Sequence, residues 1–409
     1  MKAPSTIILL FSILHLSSVR CSSQQIDLAN IQNNIKTLAS DSLQGRGTGT
    51  EGERMAAAFI VKQFKKLKLK PTGDNNSFLQ AFEFKSGTHG TGEPGTARNI
   101  VAYLDNGGEN TIIIGAHYDH LGLGQEGGSL DANSQGKIHN GADDNASGVA
   151  GVLALARYFK TNSVREKNNF LFICFSGEEL GLYGSKYFTE HPTIDLSKAD
   201  FMINLDMVGR LDMKNGLSVS GSGTSAVWET LLKKIGTDEV PIKTDSSGTG
   251  PSDHTSFYLK NIPVLHFFTG SHSDYHKPSD DWDKINYAGE VKVLNIIIKV
   301  IESEDSQPKL AFLSTKNKSM GSARSFKVTL GVMPSYTSDE SGLKVDGVSE
   351  GKPAQKAGIL TGDLIIQIGE YTIKDIQAYM ETLGKFEKGQ TVPVTVKRKG
   401  EAITLQLTF

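Results

Sequence analysis

Short apolar runs alternate with helical segments between residues 99 and 301. The runs are rich in β-branched or aromatic residues, a composition that favours strands. Residues 148–160 and 226–235 are predicted helices between them, and residues 51–67, before the first run, repeat apolar residues at the spacing of an amphipathic helix. Strands that alternate with helices form a parallel sheet with helices on its faces. The sequence therefore predicts an α/β fold with a mostly parallel mixed sheet flanked by helices. The strand-like runs are residues 99–104, 111–116, 169–175, 201–205 and 263–268.

Histidine and acidic side chains lie at the ends of three of these runs. His117 follows the second run, the Glu178-Glu179 pair follows the third, and Asp206 directly follows the fourth. In open α/β sheets, ligands bind beyond the carboxyl ends of the strands. We therefore expect these side chains to meet at one edge of the sheet.

Two further segments complete a possible metal site. Asp143 precedes the helix predicted from Gly148, so its loop can reach the same edge, and His276 lies in a polar segment at residues 273–278. Two imidazoles and three carboxylates suit a pair of divalent ions of the zinc type. An additional glutamate beside a ligand is what metal-assisted hydrolysis needs as a base. The candidate metal-binding side chains therefore lie in the segments of His117, Asp143, Glu178-Glu179, Asp206 and His276.

These segments resemble the motifs of the di-zinc aminopeptidase and glutamate carboxypeptidase family. The resemblance covers residues 26–301. It implies that Asp143 bridges two zinc ions, for which Co²⁺ or Mn²⁺ could substitute. One ion would add His117 and Asp206, and the other would add Glu179 and His276. The residues that carry the resemblance are His117, Asp119, Asp143, Asp144, Asn145, Glu178, Glu179, Asp206, Tyr275 and His276.

The resemblance also implies three catalytic roles. Glu178 matches the general base. Asp119 matches a carboxylate that accepts the free N–H of His117, and a separation of two residues permits this contact because alternate side chains of an extended chain share one side. Tyr275 matches a tyrosine that donates to the oxyanion, although it could instead be a packing aromatic.

Several other residues are expected to support the site. His120, His139 and His272 have no motif of their own and are expected at the surface or behind the ligands. Asp253 and His254 form a turn that is typical of the family and could line its pocket. Asn145 matches an N-glycosylation pattern, but a glycan there would obstruct the predicted metal loop.

The expected function is that of an exported aminopeptidase that hydrolyses N-terminal residues from peptides with a zinc-activated water. The same family contains dipeptidases, glutamate carboxypeptidases and glutaminyl cyclases, and these alternatives stay open. An alternative of another class is a peptide-binding protein on an inactive peptidase scaffold. A formal net charge of −2 offers no basic surface for nucleic acid, so no nucleic-acid partner is expected.

The segment pattern changes near the C-terminus, where short strands accompany a single helix. Residues 326–409 resemble a PDZ domain of the bacterial protease-associated kind. Such domains bind an extended peptide or protein C-terminus at a sheet edge, and the carboxylate-binding loop would be Leu330, Gly331 and Val332. The alternative is a structural module. We expect a peptidase domain at residues 24–303 and a linker at residues 304–325.

The first 23 residues have the composition of an export signal. Lys2 precedes an apolar stretch at residues 7–16 that is too short to span a bilayer. The alternative is a buried N-terminal helix. Cys21 lies near the expected cleavage site and could carry a lipid anchor, the only membrane attachment expected. The protein is therefore expected to be periplasmic, secreted or anchored at the cell surface.

Overall fold

The computed structural model describes residues 25–86, 93–124, 128–131, 133–236, 240–315, 328–334, 341–348, 351–374 and 376–409. The predicted export signal, with Cys21, lies outside the described residues, as does the second part of the predicted linker. No helix in the described ranges has the length and apolar character that crossing a membrane requires.

Seven α-helices lie in the described part of residues 25–315. The first begins after Asp27, whose carboxylate accepts from the N–H of Ala29 and Asn30. The second begins after Thr50 and has acidic residues in its first turn and lysines in its last, which suits the helix dipole. The helices are Leu28–Leu38 (α1), Glu51–Lys66 (α2), Gly148–Thr161 (α3), Tyr183–Glu190 (α4), Trp228–Ile235 (α5), His254–Tyr258 (α6) and Tyr287–Glu304 (α7).

One mixed sheet forms the centre of this domain. Its strands are Lys70–Pro71 (β1), Leu79–Lys85 (β2), Pro94–Leu104 (β3), Thr111–His117 (β4), Asn169–Phe175 (β5), Ala199–Leu205 (β6), Leu217–Ser220 (β7), Ile242–Asp245 (β8) and Val264–Phe268 (β9). Their order is β1-β3-β5-β4-β6-β9-β7-β8, and β2 also pairs with β3. The four central strands are mutually parallel, whereas β3 and β7 join them antiparallel. The predicted α/β fold with a mixed sheet is confirmed.

Both faces of the central strands are covered. Ile112 and Ile114 of β4 belong to the same core as helix residues such as Val149, whereas Ile113 packs in a second core with Phe257. Every residue of β4, β5 and β6 is buried. Strands that are covered on both faces require continuous apolar runs. This is why their sequences could be recognised.

The first part of the predicted linker packs on this domain. Leu310 is buried in the main core, and its N–H donates to the Asp200 carboxylate at 2.7 Å. The N–H of Thr315 donates to the Tyr258 hydroxyl at 2.9 Å. The boundary predicted at residue 303 is therefore corrected: the chain remains attached to the first domain through residue 315. The apolar residues at 310–313 provide the physical reason.

The C-terminal residues form a separate antiparallel sheet with its own core. Its strands are Val332–Pro334 (β10), Leu343–Val348 (β11), Leu364–Ile368 (β12), Tyr371–Thr372 (β13), Thr391–Arg398 (β14) and Glu401–Thr408 (β15), and its helices are Pro353–Ala357 (α8) and Ile376–Leu383 (α9). The strand order is β10-β11-β12-β14-β15, with β13 beside β12. Buried residues such as Leu330, Val345 and Val394 form the core.

Candidate metal centre

Three neighbouring strands bring the first group of functional side chains together. His117 is the last residue of β4 and lies opposite Phe175, the last residue of β5. The Glu178-Glu179 pair follows β5 after a short turn, and Asp206 directly follows β6. Because β4 lies between β5 and β6 in a parallel arrangement, all these side chains emerge at one edge of the sheet.

Asp144 lies at the centre of the cluster. Its Oδ1 is 3.3 Å from His117 Nε2, and its Oδ2 is 3.1 Å from His276 Nε2. Asp206 Oδ1 is 3.5 Å from the same His117 nitrogen, and Glu179 Oε2 is 3.1 Å from the same His276 nitrogen. One carboxylate thus stands between two imidazoles, and each imidazole has a second carboxylate of its own.

Two overlapping groups among the described residues have ligand atoms close enough to hold an ion. One consists of His117, Asp144 and Glu179, and the other consists of His117, Glu178 and Asp206. His276 adjoins the first group through its contacts with Asp144 and Glu179. The structure therefore brings together four of the five predicted ligands and Glu178.

Asp143, the fifth predicted ligand, lies outside this cluster. Its Oδ1 accepts from the Gly209 N–H at 2.7 Å and from the Ser147 hydroxyl at 3.0 Å, and its Oδ2 is 3.2 Å from His272 Nε2. The structure thus places Asp144, rather than the predicted Asp143, between His117 and His276. Adjacent side chains leave the backbone in different directions, so only one of the two can face the histidines.

The Asp280 carboxylate holds the loop that determines which of the two aspartates faces the histidines. Asp280 accepts from the backbone N–H of both Asp143 and Asp144, at 3.0 and 3.1 Å. In the following residue, Asn145, the side-chain amide donates to Leu205 O, while its oxygen accepts from the N–H of Gly148. Asn145 is completely buried, which excludes it as a glycosylation site in the folded protein.

The rings of His117 and His276 are oriented by backbone carbonyls so that Nε2 of each ring faces the carboxylates. Nδ1 of His117 lies 3.2 Å from the backbone oxygen of Asp119, and Nδ1 of His276 lies 2.8 Å from the backbone oxygen of Gly128. A carbonyl oxygen only accepts, so each Nδ1 carries a proton and each Nε2 faces the carboxylates. Burial disfavours a charged ring, but nearby carboxylates raise the pKa of His117 and of His276 well above the usual value.

This arrangement fits divalent zinc. The cluster favours a positive charge between imidazole nitrogens and carboxylate oxygens, and these are the atoms that zinc prefers in proteins. The residues that could hold ions are His117, Asp144, Glu178, Glu179, Asp206 and His276.

Asp119 supports the cluster differently from the prediction. Its backbone oxygen, rather than its carboxylate, is the nearer partner of His117 Nδ1, because Oδ1 lies at 3.7 Å. The carboxylate accepts from the Thr48 hydroxyl at 2.8 Å and from the Glu178 N–H at 3.2 Å. The Asp119 carboxylate therefore connects the segment that follows β4 to the backbone of the segment that follows β5.

His120 is buried and Glu178 is half-buried beside the expected ligands. Burial raises the pKa of Glu178 well above its usual value; the His117 ring opposes this shift and Glu179 adds to it. His120 Nδ1 is 2.7 Å from Glu179 Oε1. His120 is thus one of the residues behind the ligands. Only its position near His117 could have suggested this from the sequence.

Tyr275 and the Asp253-His254 turn have clear packing roles. The Tyr275 ring stacks on His276 with ring centroids 3.8 Å apart, and burial raises the Tyr275 pKa well above its usual value. His254 stacks on His266 at 4.5 Å, and Asp253 and His254 are both completely buried. The turn therefore lies in the interior rather than on an open pocket wall. Burial raises the pKa of Asp253 to about 7.

Two histidines remain to be placed. His139 Nε2 is 2.8 Å from the Ser129 hydroxyl, and its Nδ1 is 3.0 Å from the Lys137 carbonyl. His272 contacts Asp143 as described above. His139 is buried, which places it behind the loop that leads to Asp144 rather than at the surface.

The predicted peptide-binding loop begins the C-terminal sheet. Leu330 is completely buried, and its carbonyl accepts from the Ala354 N–H at 2.8 Å. Gly331 has a φ of 74°, and its N–H donates to the Thr329 hydroxyl at 3.0 Å. Val332 opens β10, which pairs with β11. Within the described residues, the other edge of β10 has no strand partner.

Two family models match the chain. Residues 99–301 match peptidase family M28. The first domain belongs to this family. Residues 328–409 match a PDZ domain, so both predicted resemblances are confirmed.

Curated relatives of this chain include named peptidases. It is 27% identical over 257 residues to leupeptin-inactivating enzyme 1 of Streptomyces exfoliatus, covering 62% of this chain and 51% of that protein. It is 33% identical over 188 residues to aminopeptidase YwaD of Bacillus subtilis (strain 168), covering 43% of this chain and 37% of that protein. The matches thus span about half or less of the length of these relatives.

Solved structures share the fold of the M28 domain. An aminopeptidase from Aneurinibacillus sp. strain AM-1 has 18% sequence identity and a TM-score of 0.52, and the match covers 71% of this chain and 96% of that one. A glutaminyl cyclase from Bacteroides thetaiotaomicron has 19% identity and a TM-score of 0.57, with 69% of this chain and 99% of that one covered. Because the fold accommodates both named activities, it does not by itself identify the reaction.

Proposed function

We propose that this chain is an exported metallo-aminopeptidase that uses two zinc ions to release N-terminal residues from peptides. The observation that carries this proposal is the position of Asp144, whose two oxygens face different histidines at 3.3 and 3.1 Å. A carboxylate in this position can bind one ion through each of its two oxygens. In the proposed centre, His117 and Asp206 complete one site, and Glu179 and His276 complete the other.

Peptide hydrolysis at this centre requires a general base that is not itself a metal ligand. Bound zinc lowers the pKa of water toward neutrality and polarises a carbonyl group. In our proposal, Glu178 accepts the proton of the attacking water and then passes it to the leaving amine, which breaks the peptide bond without a net change at Glu178. Tyr275 lies against His276 and is proposed to donate a hydrogen bond to the oxyanion. Co²⁺ or Mn²⁺ is expected to replace zinc with altered rates.

A substrate panel tests the reaction type. Purified protein of known zinc content would be given peptides with free and with acetylated N-termini, together with an N-terminal glutaminyl peptide. Release of the first residue from free peptides only is expected. Cleavage of internal bonds in acetylated peptides would contradict the exopeptidase proposal. Cyclisation of the glutaminyl peptide without hydrolysis would identify a glutaminyl cyclase instead.

We propose that the PDZ domain binds peptide or protein C-termini at the open edge of β10. Leu330, Gly331 and Val332 would form the carboxylate-binding loop. The left-handed turn at Gly331 directly before this edge supports the assignment. Binding of the full chain to peptides with free C-termini, and not to the same peptides with amidated C-termini, is expected. Equal binding of both would refute this mode.

Export is proposed from the sequence alone. Mass spectrometry of the mature N-terminus would show whether residues 1–23 are removed and whether Cys21 carries lipid. An intact N-terminus in the cytoplasm of the producing cell would contradict export.

A further inference from the structure

Arg46 lies in a tight turn between α1 and α2. Gln44, Gly45 and Arg46 have φ values of 47°, 67° and 51°. A Cβ on Gly45 would lie 2.5 Å from the carbonyl oxygens of both Gly122 and His139, so this turn accepts only glycine there. The turn thus packs directly against the segments that follow β4 and precede α3.

The Arg46 side chain is completely buried and is satisfied by backbone carbonyls alone. Its Nε donates to Tyr118 O at 2.8 Å, and its Nη2 donates to Gly141 O at 3.0 Å. Its Nη1 donates to the carbonyls of Leu38 and Asn140, each at 2.6 Å. A buried guanidinium without a directly paired carboxylate is costly, so its presence calls for an explanation.

Three of the four acceptors belong to the segments that carry His117 and Asp144, and the fourth, Leu38, is the last residue of α1. Tyr118 lies between His117 and Asp119, and Gly141 lies just before the Asp143-Asp144 loop. One rigid side chain therefore ties the end of β4 to the loop that presents Asp144. These segments are distant in sequence, and no strand pairing joins them directly among the described residues.

The charge of Arg46 also suits this position. Burial lowers the pKa of Arg46 to about 10, whereas Asp144, Asp119, Asp280 and Glu179 oppose that shift. The guanidinium thus remains charged at neutral pH. A fixed positive charge behind the cluster reduces the mutual repulsion of its carboxylates.

We propose that Arg46 is a positioning residue of the metal centre, because its guanidinium holds the segments of His117 and Asp144 at the separation that two ions require. The inference rests on the proposed zinc centre but not on which reaction that centre catalyses. Its effect is expected on zinc affinity and on the geometry of the centre, rather than on the fold as a whole.

Arg46→Lys and Arg46→Gln test this role. Lysine keeps the charge but cannot reach all four carbonyls, and glutamine keeps two N–H donors without the charge. Arg54→Lys is the matched control, because Arg54 is half exposed and pairs with Glu51 on the surface. We expect folded Arg46 variants whose zinc affinity falls about 10- to 100-fold, as for other residues that orient metal ligands. The control should bind zinc as the unaltered protein does.

Chelator competition would give the zinc affinity, and circular dichroism would report the fold of the metal-free proteins. The absorption spectrum of the cobalt-substituted protein would report the geometry of the metal ligands. If Arg46 had only a structural role, its substitution would leave this spectrum unchanged. We expect an altered cobalt spectrum in the Arg46 variants only.

Unchanged zinc affinity with an unchanged cobalt spectrum would overturn the proposal. Failure of both Arg46 variants to fold would also overturn it, because Arg46 would then serve the whole fold. If the unaltered protein binds no zinc, both this inference and the proposed function are wrong. If it binds zinc but cleaves no peptide, only the proposed reaction is wrong, and the zinc comparison still decides the role of Arg46.

Discussion

At the scale of single residues, neighbours in sequence have different tasks in this site. Asp143 stabilises backbone around Gly209, whereas Asp144 faces two histidines. The sequence predicted the correct loop but the wrong aspartate, because residue type and spacing do not define the direction of a side chain in an irregular loop. The same holds for Asp119, whose backbone carbonyl contacts His117 more closely than its carboxylate does.

The paired variants Asp144→Asn and Asp143→Asn test this distinction. Asp144→Asn removes the proposed bridging charge, so we expect it to lose most of its zinc. Asp143→Asn weakens buried hydrogen bonds and should lower the free energy of unfolding by roughly 1–3 kcal/mol while zinc binding persists. Zinc equivalents per chain and chemical unfolding would be measured together. The reverse pattern would restore Asp143 as the bridging residue.

Glu178→Gln tests the assignment of the base. The two side chains have nearly the same shape, but the amide cannot accept a proton at neutral pH. We expect zinc content to be retained and kcat to fall by about 10²- to 10⁴-fold, the usual contribution of general acid–base catalysis. A variant that turns over peptides at the original rate would remove Glu178 from the mechanism.

At the scale of elements, buried strands were the most predictable part of the fold. β4, β5 and β6 are fully buried and have continuous apolar sequences, and the side chains that follow them lie together at one edge of the sheet. β7 and β8 were missed because they are short and partly exposed, so their sequences show little apolar contrast. The docked segment through residue 315 was missed because its small apolar patch is surrounded by polar residues. Arg46 was missed because its backbone acceptors leave no pattern in sequence.

The first turn of α7 contains a buried carboxyl group whose titration can be tested. Glu290 is completely buried, and its two carboxylate oxygens have no hydrogen-bond partner among the described residues. Burial, with a contribution from Asp143, raises the pKa of Glu290 well above its usual value. The folded state therefore keeps this proton after the unfolded state has released it. Stability is complete below the ordinary carboxyl pKa and falls as the pH rises toward the folded pKa.

Glu290→Gln should remove this loss of stability. We expect the variant to gain stability relative to the metal-free parent protein as the pH rises from about 5 to 8, with a slope of at most about 1.4 kcal/mol per pH unit. Denaturant unfolding at several pH values would measure the gain. Glu401→Gln, at an exposed position in β15, is the control. A difference between variant and parent that does not change with pH would contradict the expected titration.

At the scale of the whole molecule, two modules have separate hydrophobic cores. Peptide hydrolysis is proposed for one of them and peptide binding for the other. Both module identities could be predicted because each depends on several motifs rather than on one residue. The M28 domain provides a cluster of imidazoles and carboxylates at one sheet edge, and the PDZ domain provides an open strand edge. The choice among M28 reactions depends on the groups that contact the substrate, and single-sequence patterns do not define them.

Peptide turnover as a function of bound zinc tests the central claim most directly. Metal-free protein would be refilled stepwise, and release of the N-terminal residue from an unblocked peptide would be measured at each zinc equivalent. We predict no turnover without metal and a maximum rate when two ions are bound per chain. A folded protein that hydrolyses the peptide equally fast after complete removal of metal would contradict the account.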